Sequence, residues 1–447
     1  MDEPLHDDAD SGTSLPERPR LRRVEGFPVS QPSGETLFAL RDPEGFSGSI
    51  VLPYQAAVLV SLMDGNRTLA DLCAALKERL GHDVAAQDVE QVVRDLDQRF
   101  YLDNARFRAR WKREIETYLN LRVRPAAHAG GGYPADPDEL RRQLGELVSR
   151  AGEANGNAAV PTAVEDVTAG SDDSAASTRR LCAVLSPHMD FRRGGLSLAW
   201  AQQKIVEQSD AELFVILGTG HNPMRQLFAA TKKDFATPLG TVETDRKFVA
   251  RLAARAAALA GDGELNLLAD ELAHRQEHSI EFQVVMLQYL LGGKRPLAIV
   301  PILVGSFHEF VAQHASPADS PQVKAFVQAL RETVAADGRR TCYISSGDLA
   351  HIGQRFGDRQ FLDAARLQEQ TARDRTFLEA ACRADADALV QLIAAHHDRD
   401  RVCGLSPTYT MLAAARPTSG ELLRYDQAVE LDGTSCVSFA SAAFYCE

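Results

Sequence analysis

The sequence predicts an α/β protein: a mixed, largely parallel sheet flanked by helices, with a small winged-helix domain at its N-terminal side. Three observations carry this. Short continuous apolar runs recur in the second half, Leu181–Pro187 (LCAVLSP), Leu213–Gly218 (LFVILG) and Thr341–Ser346 (TCYISS), as buried parallel strands do. Each run ends in a polar cluster: His188, then Thr219-Gly220-His221, then Gly347-Asp348-Leu349-Ala350-His351. Three short helical patterns crowd the stretch between Tyr54 and Phe100. At 447 residues, with 45% hydrophobic and 25% charged residues, two globular domains are the expectation.

Taken in order, residues 1–22 read as a solvated tail and 23–104 as the winged-helix domain. Glu35–Leu40 and Ser49–Leu52 suit strands. Tyr54–Met63 suits a helix stopped by the turn signal Asp64-Gly65-Asn66. Thr68 is placed to cap the next helix, with Asp71 at the capping-box position. Leu69, Leu72, Leu76 and Leu80 follow at helical spacing, and Gly81 ends the helix. A third helix is expected over Ala86–Phe100, with Val89, Val92, Val93 and Leu96 on one face, then a wing at Tyr101–Asn104. Residues 105–121 read as a charged helical connector and 122–447 as the second domain. Within it, 152–179 lacks apolar periodicity and reads as a flexible insertion.

Charge narrows the function classes. The formal net charge is −13, which disfavours nucleic acid and anionic membrane surfaces as partners. Phe46–Asp103 holds five basic and nine acidic residues, the wrong balance for a DNA reader. Peptide docking, or a purely structural role, suits that domain better. The acidic N-terminus lacks an apolar signal core, and no run reaches the ~18 apolar residues of a membrane span. Seven scattered cysteines with no C-x-x-C pair lead us to expect reduced thiols and a cytoplasmic location.

Open α/β sheets build their sites beyond the carboxyl ends of parallel strands. His188, His221, Asp348 and His351 all stand there, so they should share one crevice, most simply around a metal ion. His278 and Glu281 are three residues apart, and Glu277 and Glu281 four, so all three can share a helical face. A buried helix start with that many polar groups needs partners; a solvated first turn is the plain alternative. Cys403 precedes the apolar helical stretch Tyr409–Ala415 and could be a small buried hydrophobe, a ligand or a nucleophile. His274-Arg275-Gln276-Glu277-His278 also fits H-x-x-E-H, the inverzincin pattern with two histidine zinc ligands and Glu277 as base. That reading, a zinc-dependent hydrolase, leaves the other clusters unexplained.

An ordered set of motifs spans nearly all of the second domain. It comprises Arg124-Pro125-Ala126-Ala127-His128-Ala129-Gly130, Leu185-Ser186-Pro187-His188, Gly218-Thr219-Gly220-His221, Glu277-His278-Ser279-Ile280-Glu281-Phe282-Gln283, Ser345-Ser346-Gly347-Asp348-Leu349-Ala350-His351 and Cys403-Gly404. It resembles the MEMO family, whose bacterial members include protein B of the AmmeMemoRadiSam system and whose fold is similar to class III (LigB-type) extradiol dioxygenases. The N-terminal pattern resembles PqqD-like peptide-binding domains.

The resemblance implies His188, His221 and Cys403 as metal ligands. It places His278, Asp348, His351, Glu281 and Glu277 as pocket-lining or catalytic residues. It implies Fe(II) as the ion, with copper or zinc as alternatives that a thiolate also suits. The expected function is a non-haem-iron, dioxygenase-like redox enzyme acting on a small aromatic or peptide-borne substrate, with radical-SAM and AMMECR-type proteins as partners. A non-catalytic metal- or partner-binding component is the alternative. The sequence departs from the family pattern at Met189-Asp190-Phe191, at Asn222, at Gly347 and at Gly131-Gly132.

Overall fold

The computed structural model describes residues 15–30, 36–42, 45–156, 179–261 and 265–447. Residues 1–14 of the tail expected over 1–22, and residues 157–178 of the expected insertion, lie outside the described residues; the end of that tail is not solvated, since Arg22 is buried against Asp42 and the Leu21 N–H donates to the Met63 carbonyl at 2.9 Å. The chain divides into two compact units, Met1–Asn120 and Leu121–Glu447.

In the first unit, strands β1 (Glu25–Ser30), β2 (Thr36–Arg41) and β3 (Ile50–Leu52) form an antiparallel sheet in the order β1-β2-β3. Helices α1 (Tyr54–Ser61), α2 (Leu69–Leu80), α3 (Ala86–Gln98) and α4 (Ala105–Asn120) follow. The expected capping box is present: Thr68 accepts from the Asp71 N–H while Asp71 accepts from the Thr68 N–H. Gly81 ends α2 at φ 77°. Leu72, Leu76, Val89, Val93 and Leu96 fill one core with Leu59, Val60 and Tyr101.

One expectation fails here. Tyr101–Asn104 is not a wing strand; Leu102 makes a single antiparallel bridge to Leu21. Asn104 instead starts a helix at once, its Oδ1 accepting from the Phe107 N–H at 3.0 Å. The sheet that accompanies the helices precedes them in the chain. The expected helical connector is present as α4. Phe107 of α4 packs edge-on against Phe46 at 5.7 Å, beneath the Arg22 guanidinium.

The second unit runs β4 (Val123–Arg124), α5 (Pro137–Gly156), β5 (Arg180–Ser186), α6 (Gly195–Gln208), β6 (Leu213–Thr219), β7 (Phe228–Ala230), β8 (Asp234–Thr237) and β9 (Gly240–Val242). Then come α7 (Arg246–Ala260), α8 (His278–Leu291), β10 (Ala298–Val304), α9 (His308–Gln313), α10 (Pro321–Asp337), β11 (Thr341–Ser346) and β12 (His351–Ile352). The chain closes with α11 (Ala364–Cys382), α12 (Ala386–Ala394), α13 (Leu405–Ala415), β13 (Ser419–Val429) and β14 (Cys436–Cys446).

The main sheet has eight strands in the order β12-β14-β5-β11-β6-β10-β7, with β13 also paired to β14. Its centre, β5-β11-β6-β10, is parallel; β14 and β7 join antiparallel. This is the mixed, largely parallel sheet the apolar runs predict. Alternate residues of β6 enter opposite apolar layers. Leu213, Val215 and Leu217 meet side chains of α7, α10 and α13; Phe214 and Ile216 meet those of α5, α6 and α8. With both faces covered, every residue of β6 is buried, which is why the strand shows no alternation.

Two further corrections belong to this unit. Residues 152–156, expected to be loose, continue α5, whose Leu140, Leu144, Leu147 and Ala151 form a buried stripe. Cys182 and Cys446 are joined in a disulfide across β5 and β14, at a Cα–Cα distance of 5.8 Å. They are therefore not reduced thiols. Their separation of 264 residues hides the pairing from the sequence; the antiparallel pairing of β5 with β14 brings them together beside a register shift that leaves Cys182 without a direct cross-strand partner.

Candidate metal centre

Strand ends and one helix start build the site. His188 follows β5, His221 follows β6, Asp348 follows β11, and His278 opens α8. The rings of His188 and His221 lie 4.9 Å apart, His188 and His278 4.9 Å, and His221 and His278 4.7 Å. One donor nitrogen from each lies within 4.8 Å of the other two. His188 is buried, His278 half-buried and His221 exposed, so the cluster opens to solvent on the His221 side.

Each ring is held by a partner. The His188 Nδ1 faces the Ser346 carbonyl at 3.2 Å. Its backbone N–H donates to Asp348 Oδ1 at 3.0 Å, and its Nε2 lies 3.6 Å from Asp348 Oδ2. Glu277 serves the other two. Its Oε1 lies 2.9 Å from His221 Nδ1 and 3.3 Å from His278 Nδ1, and its Oε2 accepts from the His221 N–H at 2.9 Å. Such a carboxylate fixes the tautomer with Nδ1 protonated and turns Nε2 away from itself. Cys403 stands beside the group, its Sγ 3.4 Å from His188 Nε2, but it does not join the three donors that all lie within 4.8 Å of one another.

The electrostatics favour neutral donors at two rings. Burial, reinforced by the charge of His221, pushes His188 down to about 3 and holds His278 well below the usual imidazole range. Burial also opposes charge on His221, but the Glu277 carboxylate outweighs it and holds that ring well above its usual value. Glu277 in turn resists burial through its contact with His221 and lies well below the usual carboxylate range. Burial raises Asp348 to about 6 and pushes the Cys403 thiol up. Three nitrogen donors within 4.8 Å of one another, with a thiol beside one of them, are a donor set that Fe(II), copper or zinc accepts.

Of the remaining candidates, Glu281, His351 and His274 do not join the three-imidazole group. Glu277 is extended, at φ −83° and ψ 127°, and caps α8 from outside. The expectation that Glu277 and Glu281 share a helical face therefore fails. Glu281 is fully buried but faces away from the rings. It pairs with Arg124, accepts from Tyr133 and takes the N–H groups of Ala127 and His128 at 3.1 and 2.9 Å. His351 begins β12, with Nδ1 against the carbonyls of Leu349 and Arg401. His274 ends a separate 3-10 turn, its Nε2 on the Ala229 carbonyl at 3.1 Å. Among the described residues it does not join the three-imidazole group. The H-x-x-E-H string is broken between two helices and does not form the zinc site that pattern requires.

Sequence reasoning passed over two supporting residues. Gln283 donates to the Pro187 carbonyl at 2.8 Å and to Ser346 Oγ at 2.9 Å, tying α8 to two strand ends. Arg124, fully buried, bonds the backbone carbonyls of His274 and Glu277. Buried polar side chains inside apolar surroundings were the available signal. Gly347, an apparent insertion, has a steric reason. A Cβ there would stand 2.4 Å from the Gly404 Cα, so the glycine pair lets the Asp348 and Cys403 loops touch.

Comparison with known proteins identifies the family. The Memo-like protein family model matches residues 124–443, and that of coenzyme PQQ synthesis protein D (PqqD) matches residues 39–102. A MEMO1 family protein of Aquifex aeolicus is 28% identical over 418 residues, covering 93% of this chain and 97% of its own length. A MEMO1 family protein of Thermococcus kodakarensis is 30% identical over 332 residues, covering 72% of this chain and 99% of its own length. With one match running from the Arg124 loop nearly to the end of β14, and the other over the first unit, the chain belongs to the Memo-like protein family and carries a PqqD-like domain ahead of it.

Proposed function

We propose that this protein holds a redox-active metal ion at His188, His221, His278 and Cys403, Fe(II) in the first place. It acts there on a small aromatic or peptide-borne group, in company with a radical-SAM enzyme. The observation that carries the reading is the gathering of three imidazoles from three separate elements within 4.8 Å, a donor set of the kind that binds a transition-metal ion. Bound there, such an ion supplies electron transfer and polarises a substrate oxygen. The chain's own groups prepare the site. Glu277 holds two rings by their Nδ1 atoms. Asp348, raised to about 6, can hold or release a proton near neutral pH beside His188.

The PqqD-like unit supports a peptide as the carrier of the substrate. β3 is the terminal strand of its sheet. Beside it Ile50, Leu52, Ala56, Val92 and Leu96 line a cavity of about 490 Å³, with Asp95 and Arg99 also contributing. An extended segment can add to that edge through main-chain bonds while its side chains enter the groove.

A second reading rests on the thiol. Three imidazoles and a sulfur fill the four positions of a closed site, which suits a non-catalytic metal- or partner-binding component. Purification under nitrogen with metal analysis, oxygen-uptake and product assays separates the two. Iron near one per chain with oxygen consumed and product formed supports the first. Bound metal with neither oxygen use nor product supports the second. Absence of any metal after loading contradicts both.

A further inference from the structure

The loop that delivers Cys403 is under backbone strain. His397, Asp398 and Arg401 all lie in the left-handed region, at φ 54°, 46° and 53°. Side-chain-bearing residues adopt that region at a cost and keep it only where their surroundings over-determine it. Here the surroundings are the segment that also carries Asp348. The His351 N–H donates to the Asp400 carbonyl at 2.7 Å. The His351 Nδ1 lies 3.0 Å from the Arg401 carbonyl and 3.2 Å from that of Leu349. Arg401 answers with Nη1 on the His351 carbonyl at 3.0 Å and Nη2 on Asp358 at 2.8 Å. On the far side of the thiol, the Gly404 N–H donates to the Asp348 carbonyl at 2.8 Å.

From this we infer that His351 and Arg401 are positioning residues that hold the Cys403 thiol against His188. His351 acts through its Nδ1–H as a fixed donor. Both groups facing Nδ1 are carbonyl oxygens, which only accept, so that nitrogen carries the proton. The ring is further fixed by edge contact with Phe356 at 5.2 Å. Release of either clamp lets the strained residues relax toward ordinary dihedrals and carries the thiol away from the imidazoles. The inference rests on the reading of Cys403 as a fourth donor of the metal centre, and it can be tested apart from it.

The test uses His351→Asn, whose side-chain amide places an N–H where Nδ1 stands but cannot shuttle a proton, and His351→Phe, which has neither capacity. Arg401→Met is a second clamp variant that keeps His351. The rate of iodoacetamide modification at Cys403 is read by peptide mass spectrometry in the full-length, metal-free protein. Wild type and His351→Asn should react slowly and alike. His351→Phe and Arg401→Met should react about tenfold faster, as local opening exposes the thiol. With cobalt(II) added, the thiolate-to-cobalt absorption should appear in the first pair and fade in the second. Wild-type rates in both His351→Phe and Arg401→Met overturn the positioning role; so does His351→Asn reacting as fast as His351→Phe. If wild type shows no sulfur-to-cobalt band, the metal reading of Cys403 falls, and the alkylation contrast still decides the role of the clamp.

Discussion

Two carboxylates at the start of α8 serve two regions of opposite character. Glu281 belongs to a knot in which both of its oxygens are taken by Arg124, Tyr133 and two backbone N–H groups. Glu277, four residues earlier, spends one carboxylate on two imidazoles that crowd a third. The first region is complete as it stands, a buried polar group with its partners in place. The second gathers three imidazoles around the carboxylates of Glu277 and Asp348. The difference teaches how to separate structural from functional polarity: the knot holds the fold, and the cluster is arranged for something it must bind.

The largest effect that could break this contrast lies in the knot. Glu281→Ala leaves the Arg124 guanidinium buried and unpaired, which should cost about 3–5 kcal/mol in denaturant unfolding of the full chain. A loss under ~1 kcal/mol would put Glu281 in the same class as a surface pair. Glu277→Ala should do the reverse. Metal affinity, measured by chelator competition, should fall about 10–100-fold, as when a partner of ligating histidines is removed. Its effect on unfolding should be smaller than that of Glu281→Ala.

A pH test sharpens the place of His274. Burial, with the charge of Arg124 added, depresses this ring to about 3. As pH falls through ~6.5 the unfolded chain takes up the proton first, so stability is lost on acidification until the folded ring also protonates near 3. The slope assigned to this residue is about 1.4 kcal/mol per pH unit across that window. His274→Gln keeps an N–H for the Ala229 carbonyl and should flatten the stability–pH curve by that amount while leaving metal content unchanged. Loss of metal in this variant would return His274 to the centre. The smallest effect is at the other unit. Thr68→Ala removes half of a capping box and should cost about 1 kcal/mol in unfolding of the PqqD-like unit, with no change in metal binding.

Much of the scaffold was legible because strands buried on both faces leave uninterrupted apolar runs, as in β5, β6 and β11. The strand-end histidines were legible because parallel strands place their termini together. The short strands β7, β8, β9 and β12 were not, since two to four residues carry no periodicity and pair only where tertiary contacts allow. Glu277 falls off the expected helical face because the helix begins one residue later, at His278. A spacing rule has no force outside the helix it assumes. The sequence assigns His278 to the pocket lining, and its place against the His188 and His221 rings appears only once α8 packs on the strand ends. The disulfide was invisible for the same reason: a register between strands brings Cys182 and Cys446 together, and no local signal marks it.

The central claim is that three imidazoles from three elements take hold of one ion. X-ray absorption on the zinc-loaded full-length protein tests it most directly, because zinc adds no redox change. The account predicts about three nitrogen neighbours at ~2.0–2.1 Å and one sulfur at ~2.3 Å, with one nitrogen lost in His278→Ala. An oxygen-only shell, or a spectrum untouched by that substitution, would contradict it.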